Sequence, residues 1–267
     1  MRYPLFISDF DNTLGHAPGN IAEEDISAIR EFSANGGKFV ICTGRMFSSI
    51  RQICKKYDLK GLVVSYQGAM INDIESGESL FSSGIEYNTA TDVVNSLIKE
   101  GFETMVDIND TLYFDKRTPL TEFYEKATDI RGLLINSVPN FLQEQKKIVL
   151  KVCGLGDKER VDDTVDKLNK VYGGQVIFNS GSSHLIEVVN PSCSKGVAVK
   201  FISNYYNIPL DKTLAVGDST NDIELLSGSW HGVAVGDAKD ALKKVAKEIT
   251  VPYAQHPVST LLKKYCL

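Results

Sequence analysis

Leu5-Phe6-Ile7-Ser8-Asp9-Phe10-Asp11-Asn12-Thr13-Leu14 decides how this chain is read. Three apolar residues run straight into an acidic, polar segment, the pattern of a buried parallel strand that ends in a loop. A helix should follow. Asn20 and Glu23 have the spacing of a capping box, and Ile26, Ile29 and Phe32 recur at helical intervals until Asn35-Gly36-Gly37 stops them. Residues 38–42 then read as a second strand, 46–57 as a helix and 62–66 as a third strand. Strands alternating with helices imply right-handed βαβ units, hence a parallel sheet with helices on both faces.

The same alternation returns late in the chain, with a helix over 195–206, a strand over 213–216, a short helix after Asn221 and strands over 233–235 and 248–251. Both ends therefore belong to one Rossmann-like α/β core, residues 1–82 and 190–267. Residues 83–189 between them are numerous enough to form an inserted α/β domain. Within the insert, 104–107, 111–114, 147–152 and 185–189 read as strands and 157–172 as a helix. Ser82-Ser83-Gly84 has the composition of an exit hinge, and the return hinge falls at Gly181-Ser182-Ser183 or Asn190-Pro191-Ser192.

Composition narrows the function. Apolar residues at 43% and charged residues at 24% suit a packed core rather than a disordered chain. A net charge of −5 with no long basic run argues against a nucleic-acid groove or a polybasic membrane patch. The apolar run near Met1 is too short for a secretory leader, and nothing later approaches the ~18 apolar residues of a membrane span, so a cytoplasmic protein is expected. The five cysteines (Cys42, Cys54, Cys153, Cys193, Cys266) are odd in number and form no C-x-x-C pair, which fits reduced thiols rather than disulfides or a zinc site.

In open α/β sheets ligands bind beyond the carboxyl ends of the strands, so the residues that follow each strand carry the chemistry. Asp9 and Asp11, two apart, project to the same side of an extended segment, where their repulsion favours a cation between them. Mg2+ prefers oxygen ligands and keeps several waters, and Asp218 can supply a further carboxylate. Asp9 then suits a nucleophile that takes up a phosphoryl group, and Asp11 a general acid and base. Thr13 stands in the same polar cluster after the first strand, and the alternative for a bare D-x-D is a capped turn before a helix. Thr43 can donate its hydroxyl to a phosphate while Gly44 lets the backbone come close, or Thr43 can serve as an ordinary helix cap. Lys195 can neutralise a phosphate beside Asp9, or be a solvated surface lysine. Asn221 can hold a phosphate and Asp222 can orient Lys195 or a metal-bound water, or both can cap a short helix. Arg45 either reaches substrate or pairs on the surface. The four histidines (His16, His184, His231, His256) lack metal-ligand spacing such as H-E-x-x-H, and only His16 lies close in sequence to the Asp9–Thr13 segment.

Asp9-Phe10-Asp11-Asn12-Thr13-Leu14, Thr43-Gly44-Arg45, Lys195-Gly196 and Gly217-Asp218-Ser219-Thr220-Asn221-Asp222 resemble the four motifs of haloacid-dehalogenase-superfamily phosphatases. The insert, between the second and third motifs, resembles the large α/β cap (type IIB) of the Cof-like subfamily. The resemblance implies Asp9 as nucleophile, Asp11 as acid/base and a metal ligand through its backbone carbonyl, Asp218 as a metal ligand, and Thr43, Lys195 and Asn221 as phosphate binders. It implies Mg2+ as cofactor and a small phosphorylated metabolite as substrate: a sugar phosphate, nucleotide or cofactor phosphate. A phosphomutase outcome and a non-catalytic phosphometabolite sensor are the rival readings. Three segments depart from the family pattern. Asn12 stands where many members have glycine, Gln67 precedes Gly68 where relatives usually have asparagine, and Pro252-Tyr253-Ala254-Gln255-His256-Pro257 replaces an Asn-Asp-rich loop.

Overall fold

The computed structural model describes residues 1–16, 19–182 and 184–267. The chain divides into two compact units, Met1–Phe81 with Ser194–Leu267, and Ser82–Cys193.

The first unit is built on a sheet whose strands, from one edge to the other, are Glu248–Ile249, His231–Ala234, Thr213–Gly217, Leu5–Ser8, Lys38–Cys42, Leu62–Ser65, Met70–Asp73 and Ser79–Ser82. The first six run parallel. Leu5, Phe6 and Ile7 are fully buried, which is why so short a strand needs no alternation of polar and apolar residues. Met70–Asp73 turns back antiparallel on Leu62–Ser65, an extension that the βαβ reading did not anticipate. The reversal passes through Tyr66, Gln67 and Gly68, all with positive φ. Ser8 is in register with Val216 on one side and Ile41 on the other, so three adjacent strands end at one level. The chain leaves Leu5–Ser8 toward Lys38–Cys42 and returns later on its other side, and this reversal of strand order opens a crevice there.

The expected capping box is absent. Ala22 occupies the N-cap of helix Glu23–Ala34 with no side-chain cap bond. Asn20 instead pairs with His16 in a short hairpin, and its side chain accepts from Lys56 Nζ at 2.7 Å. Local spacing suggested a cap, but the hairpin pairing holds Asn20 in extended backbone two residues ahead of the cap position.

The second unit carries a sheet in the order Leu133–Leu134, Thr111–Phe114, Glu103–Ile108, Lys151–Leu155, Leu185–Val189, Ile177–Ser182. Its pairings are antiparallel except for the short Leu133–Leu134 edge. Helices Tyr87–Lys99 and Lys158–Tyr172 bury Val93, Val94, Leu97, Val161, Val165 and Leu168 in a core with Val106, Val152, Ile186 and Val188 from alternate strand positions. The strand expected over 147–152 lies instead at Lys151–Leu155, because Gly154 and Leu155 pair with Thr104 and Glu103 while Val149 bridges Ile85. Lys151 Nζ donates to Glu187 Oε1 at 2.7 Å and to the Tyr124 hydroxyl at 3.3 Å. Asp107 lies beside them, in register with Lys151, with neither carboxylate oxygen hydrogen-bonded among the described residues. Of the expected return hinges, Ser183 lies outside the described residues and Asn190-Pro191-Ser192 lies just before the unit boundary at Ser194. No helix among the described residues is long and apolar enough to cross a membrane.

Candidate active site

Asp9 directly follows the Leu5–Ser8 strand and its amide donates to the Val216 carbonyl at 2.9 Å, so the strand register itself fixes its position. Its carboxylate is almost wholly buried and accepts from Lys195 Nζ at 2.5 Å. Lys195 begins helix Lys195–Tyr205, capped by Ser194, whose hydroxyl accepts from the Val197 amide. The ammonium is fully buried and donates a second bond, 2.6 Å, to Asp222 Oδ1. A buried cation in contact with two carboxylates is not a solvated surface lysine, so that alternative is removed.

The start of that helix is held by a close backbone approach. Gly68, at φ 103°, lies where a Cβ would sit 2.3 Å from the Ser194 carbonyl oxygen and 3.1 Å from the Lys195 nitrogen. Only glycine combines this backbone conformation with that contact.

Asp222 does two things at once. Oδ1 receives Lys195, while Oδ2 accepts the amides of Asp218 and Ser219, both at 3.1 Å. It therefore caps the turn Thr220–Asp222 and orients the lysine, joining two readings that the sequence left as alternatives. Asp218 stands at the carboxyl end of Thr213–Gly217, partly exposed, with Thr13 Oγ1 at 3.5 Å from its Oδ1. Asp9, Asp218 and Asp222 can each bring one oxygen within 4.8 Å of the others.

Burial raises the Asp9 carboxyl well above the ordinary carboxylate range, and Asp222 adds to the rise against the pull of Lys195. Burial and Asp222 likewise lift Asp218 to about 6. Burial works against the Lys195 charge, but Asp222 and Asp9 outweigh it and hold the ammonium protonated. Three carboxylates with one cation leave excess negative charge, and the donors are all hard oxygens. That set fits a divalent ion such as Mg2+. With both Asp222 oxygens engaged, Asp9 and Asp218 are the side chains with coordination to spare.

Thr43 follows the Lys38–Cys42 strand and is buried. It is not the cap of the next helix, Phe47–Lys56, whose N-cap is Met46. Its Oγ1 accepts from the Arg45 amide at 3.2 Å and retains a hydroxyl proton to donate. Arg45 does not stand free: it grips Asp11 through Nε at 3.0 Å and Nη2 at 2.6 Å, with its guanidinium over the Phe10 ring. Asp11 is thus exposed and paired, apart from the buried carboxylates around Lys195. Asn221 is exposed and donates to Gln67 Oε1 at 3.3 Å. Gln67 lies against Gly44, where a Cβ would sit 2.2 Å from its amide nitrogen. Gln67 was not among the sequence candidates. Its only signal was its departure from the usual asparagine.

The family model described as haloacid dehalogenase-like hydrolase matches residues 6–262. Phosphatase YwpJ of Bacillus subtilis is 25% identical, the alignment covering 97% of this chain and 98% of that protein. The 5-amino-6-(5-phospho-D-ribitylamino)uracil phosphatase YitU of Bacillus subtilis is also 25% identical, covering 98% and 97% respectively. Among solved structures, a HAD/COF-like hydrolase from Plasmodium vivax superposes with a TM-score of 0.86 at 25% identity, over 98% of this chain and 95% of that one. Strand order, strand-end carboxylates and a match across nearly the whole sequence agree, and the chain belongs to the haloacid dehalogenase-like hydrolase family.

Proposed function

We propose that this hydrolase is a Mg2+-dependent phosphatase of small phosphomonoesters, with Asp9 as the nucleophile. The observation that carries the reading is the buried Lys195 ammonium, held at 2.5 Å from Asp9 and 2.6 Å from Asp222 where three parallel strands end together. That the two Bacillus subtilis relatives described above are named phosphatases supports it.

In the proposed reaction an Asp9 oxygen attacks phosphorus, the bond from phosphorus to the leaving oxygen breaks, and Asp11 supplies the proton that this oxygen takes up. Asp11 then removes a proton from water, whose oxygen attacks the phosphoryl group on Asp9 and releases inorganic phosphate. Lys195 holds Asp9 in place and offsets the charge of the incoming phosphate, with Asp222 orienting it. Thr43 donates its hydroxyl to a phosphate oxygen, Gly44 leaves room for the approach and Asn221 contributes a further donor. Asp9, Asp218 and the Asp11 carbonyl would hold Mg2+, which when bound supplies positive charge against the phosphate oxygens. Thr13 steadies Asp218. Residues 83–189 act as a substrate-selecting cap, since every residue used here lies in the first unit.

Metal removal tests this directly. EDTA should abolish hydrolysis of a phosphomonoester panel and Mg2+ should restore it, while Asp9→Asn stays inactive with or without metal. Full turnover in metal-free buffer, or clear activity in Asp9→Asn, would overturn the reading.

A further inference from the structure

Three residues that the proposed reaction does not use converge in the first unit. His16 lies in the hairpin Gly15–His16/Asn20–Ile21, Asp25 in helix Glu23–Ala34, and His256 at the N-cap of helix Pro257–Tyr265. One ligand atom from each lies within 4.8 Å of the other two. His16 and His256 are 240 positions apart, so no spacing in the sequence could announce them as a pair.

The cluster is built rather than incidental. Asp25 is only 1% exposed, and its Oδ1 accepts the Ser259 amide at 2.8 Å, which fixes the carboxylate. Its Oδ2 lies 3.2 Å from His256 Nδ1. His256 adopts a left-handed backbone at φ 55°, strained for a residue with a side chain, within the Pro252–Pro257 segment that departs from the family pattern. Tyr253, from the same segment, packs its ring 4.5 Å from that of His16 and donates its hydroxyl to the Gly15 carbonyl at 2.8 Å. The two imidazoles stand 6.2 Å apart, inclined at 62°.

We propose that His16, Asp25 and His256 form a second metal site, selective for a transition dication such as Zn2+. Two imidazoles and one carboxylate are the donor set of such ions, whereas the oxygen-only set of Asp9 and Asp218 suits Mg2+. Metal–nitrogen bonds of ~2.0 Å at tetrahedral angles place donors roughly 3.3 Å apart. His256 Nδ1 and Asp25 Oδ2 are already 3.2 Å apart, and the remaining donors, within 4.8 Å, need to close by at most about 1.5 Å, which rotation of the partly exposed His16 and His256 rings can supply. A water would complete the coordination. Metal at His256 Nδ1 replaces its contact with Asp25 Oδ2, and a proton on that nitrogen leaves to solvent or moves to Nε2. Gly15 bridges Asp11 and receives the Tyr253 hydroxyl, so metal at His16 also restrains the segment that carries Asp11.

The rival account gives Asp25 a purely structural task, capping the C-terminal helix with His256 as its partner. Zn2+ titration of the whole protein in excess Mg2+, followed through the imidazole 15N–1H signals, separates the two. The His16 and His256 signals should shift or broaden up to one equivalent while those of His184 and His231 stay in place. His16→Ala leaves both Asp25 hydrogen bonds intact, so it should keep the circular dichroism of the parent. Its calorimetric Zn2+ affinity should nevertheless fall by more than the ~10–100-fold that loss of a group behind a ligand costs. Unmoved His16 and His256 signals, or equal Zn2+ affinity in His16→Ala, would overturn the proposal and leave the capping account.

Discussion

Arg45 holds Asp11 with two nitrogens of its planar fork, a geometry that sets direction as well as charge. If Asp11 is the proton donor, Arg45 is a positioning residue, and its loss should matter most where the leaving oxygen needs help. Arg45→Ala is expected to lower kcat on alkyl phosphates by less than the roughly 10²–10⁴ that full loss of a general acid costs, and to spare aryl phosphates with acidic leaving groups. Arg45→Lys should recover only part of the loss, because a lysine cannot reproduce the fork. A uniform drop across leaving groups would show instead that Arg45 contacts the phosphate.

At the scale of elements, the constraint lies between the turn at Gly68 and the helix that begins at Lys195. Gly68→Ala forces a Cβ into the Ser194 carbonyl and a left-handed backbone on alanine. The cost should be about 1–3 kcal/mol in denaturant unfolding, with activity falling as Lys195 shifts. Unchanged stability would mean that the turn relaxes without moving the helix. This contact marks a limit of sequence reading. Asp9, Thr43, Lys195 and Asp218 were legible because each follows a strand or starts a helix, so local pattern alone placed them in one crevice. The Arg45–Asp11 pair, the two tasks of Asp222 and the reach of Gln67 toward Asn221 depend on how loops lie across one another, which no periodicity encodes. Asn20 shows the opposite failure, since a correct local motif was overridden by pairing with His16. The strands Met70–Asp73 and Ser79–Ser82 were missed because their runs are short and partly polar.

For the whole molecule, stability should carry a pH signature from the second unit. Burial lifts the Asp107 carboxyl to about 7 from an ordinary 3.8, with Lys151 opposing the shift. Between those values the folded chain holds a proton there that the unfolded chain has released. Stability from this group therefore falls as pH rises from about 4 to about 7, and the full penalty is present above that. Asp107→Asn should remove the slope and stabilise the protein above pH 7 by no more than about 4 kcal/mol, the value of a three-unit shift. Chemical denaturation at several pH values in saturating Mg2+, comparing parent and variant, checks this, and parallel profiles would refute it. The two units also meet along the chain at a telling place. Ser194 is the residue at which the chain re-enters the first unit, Lys195 is the next, and the Gly68 backbone is wedged against both. A foreign segment grafted between Phe81 and Ser194 should therefore inherit the charge arrangement undisturbed, and under the proposed division of labour such a chimera should hydrolyse a simple aryl phosphate while adopting its donor's ranking of metabolites. Retention of the parent's ranking would count against that division. On these terms, taste and competence are separately heritable traits of the chain, and the wedge at Gly68 is the seam that permits one to drift while the other stands still.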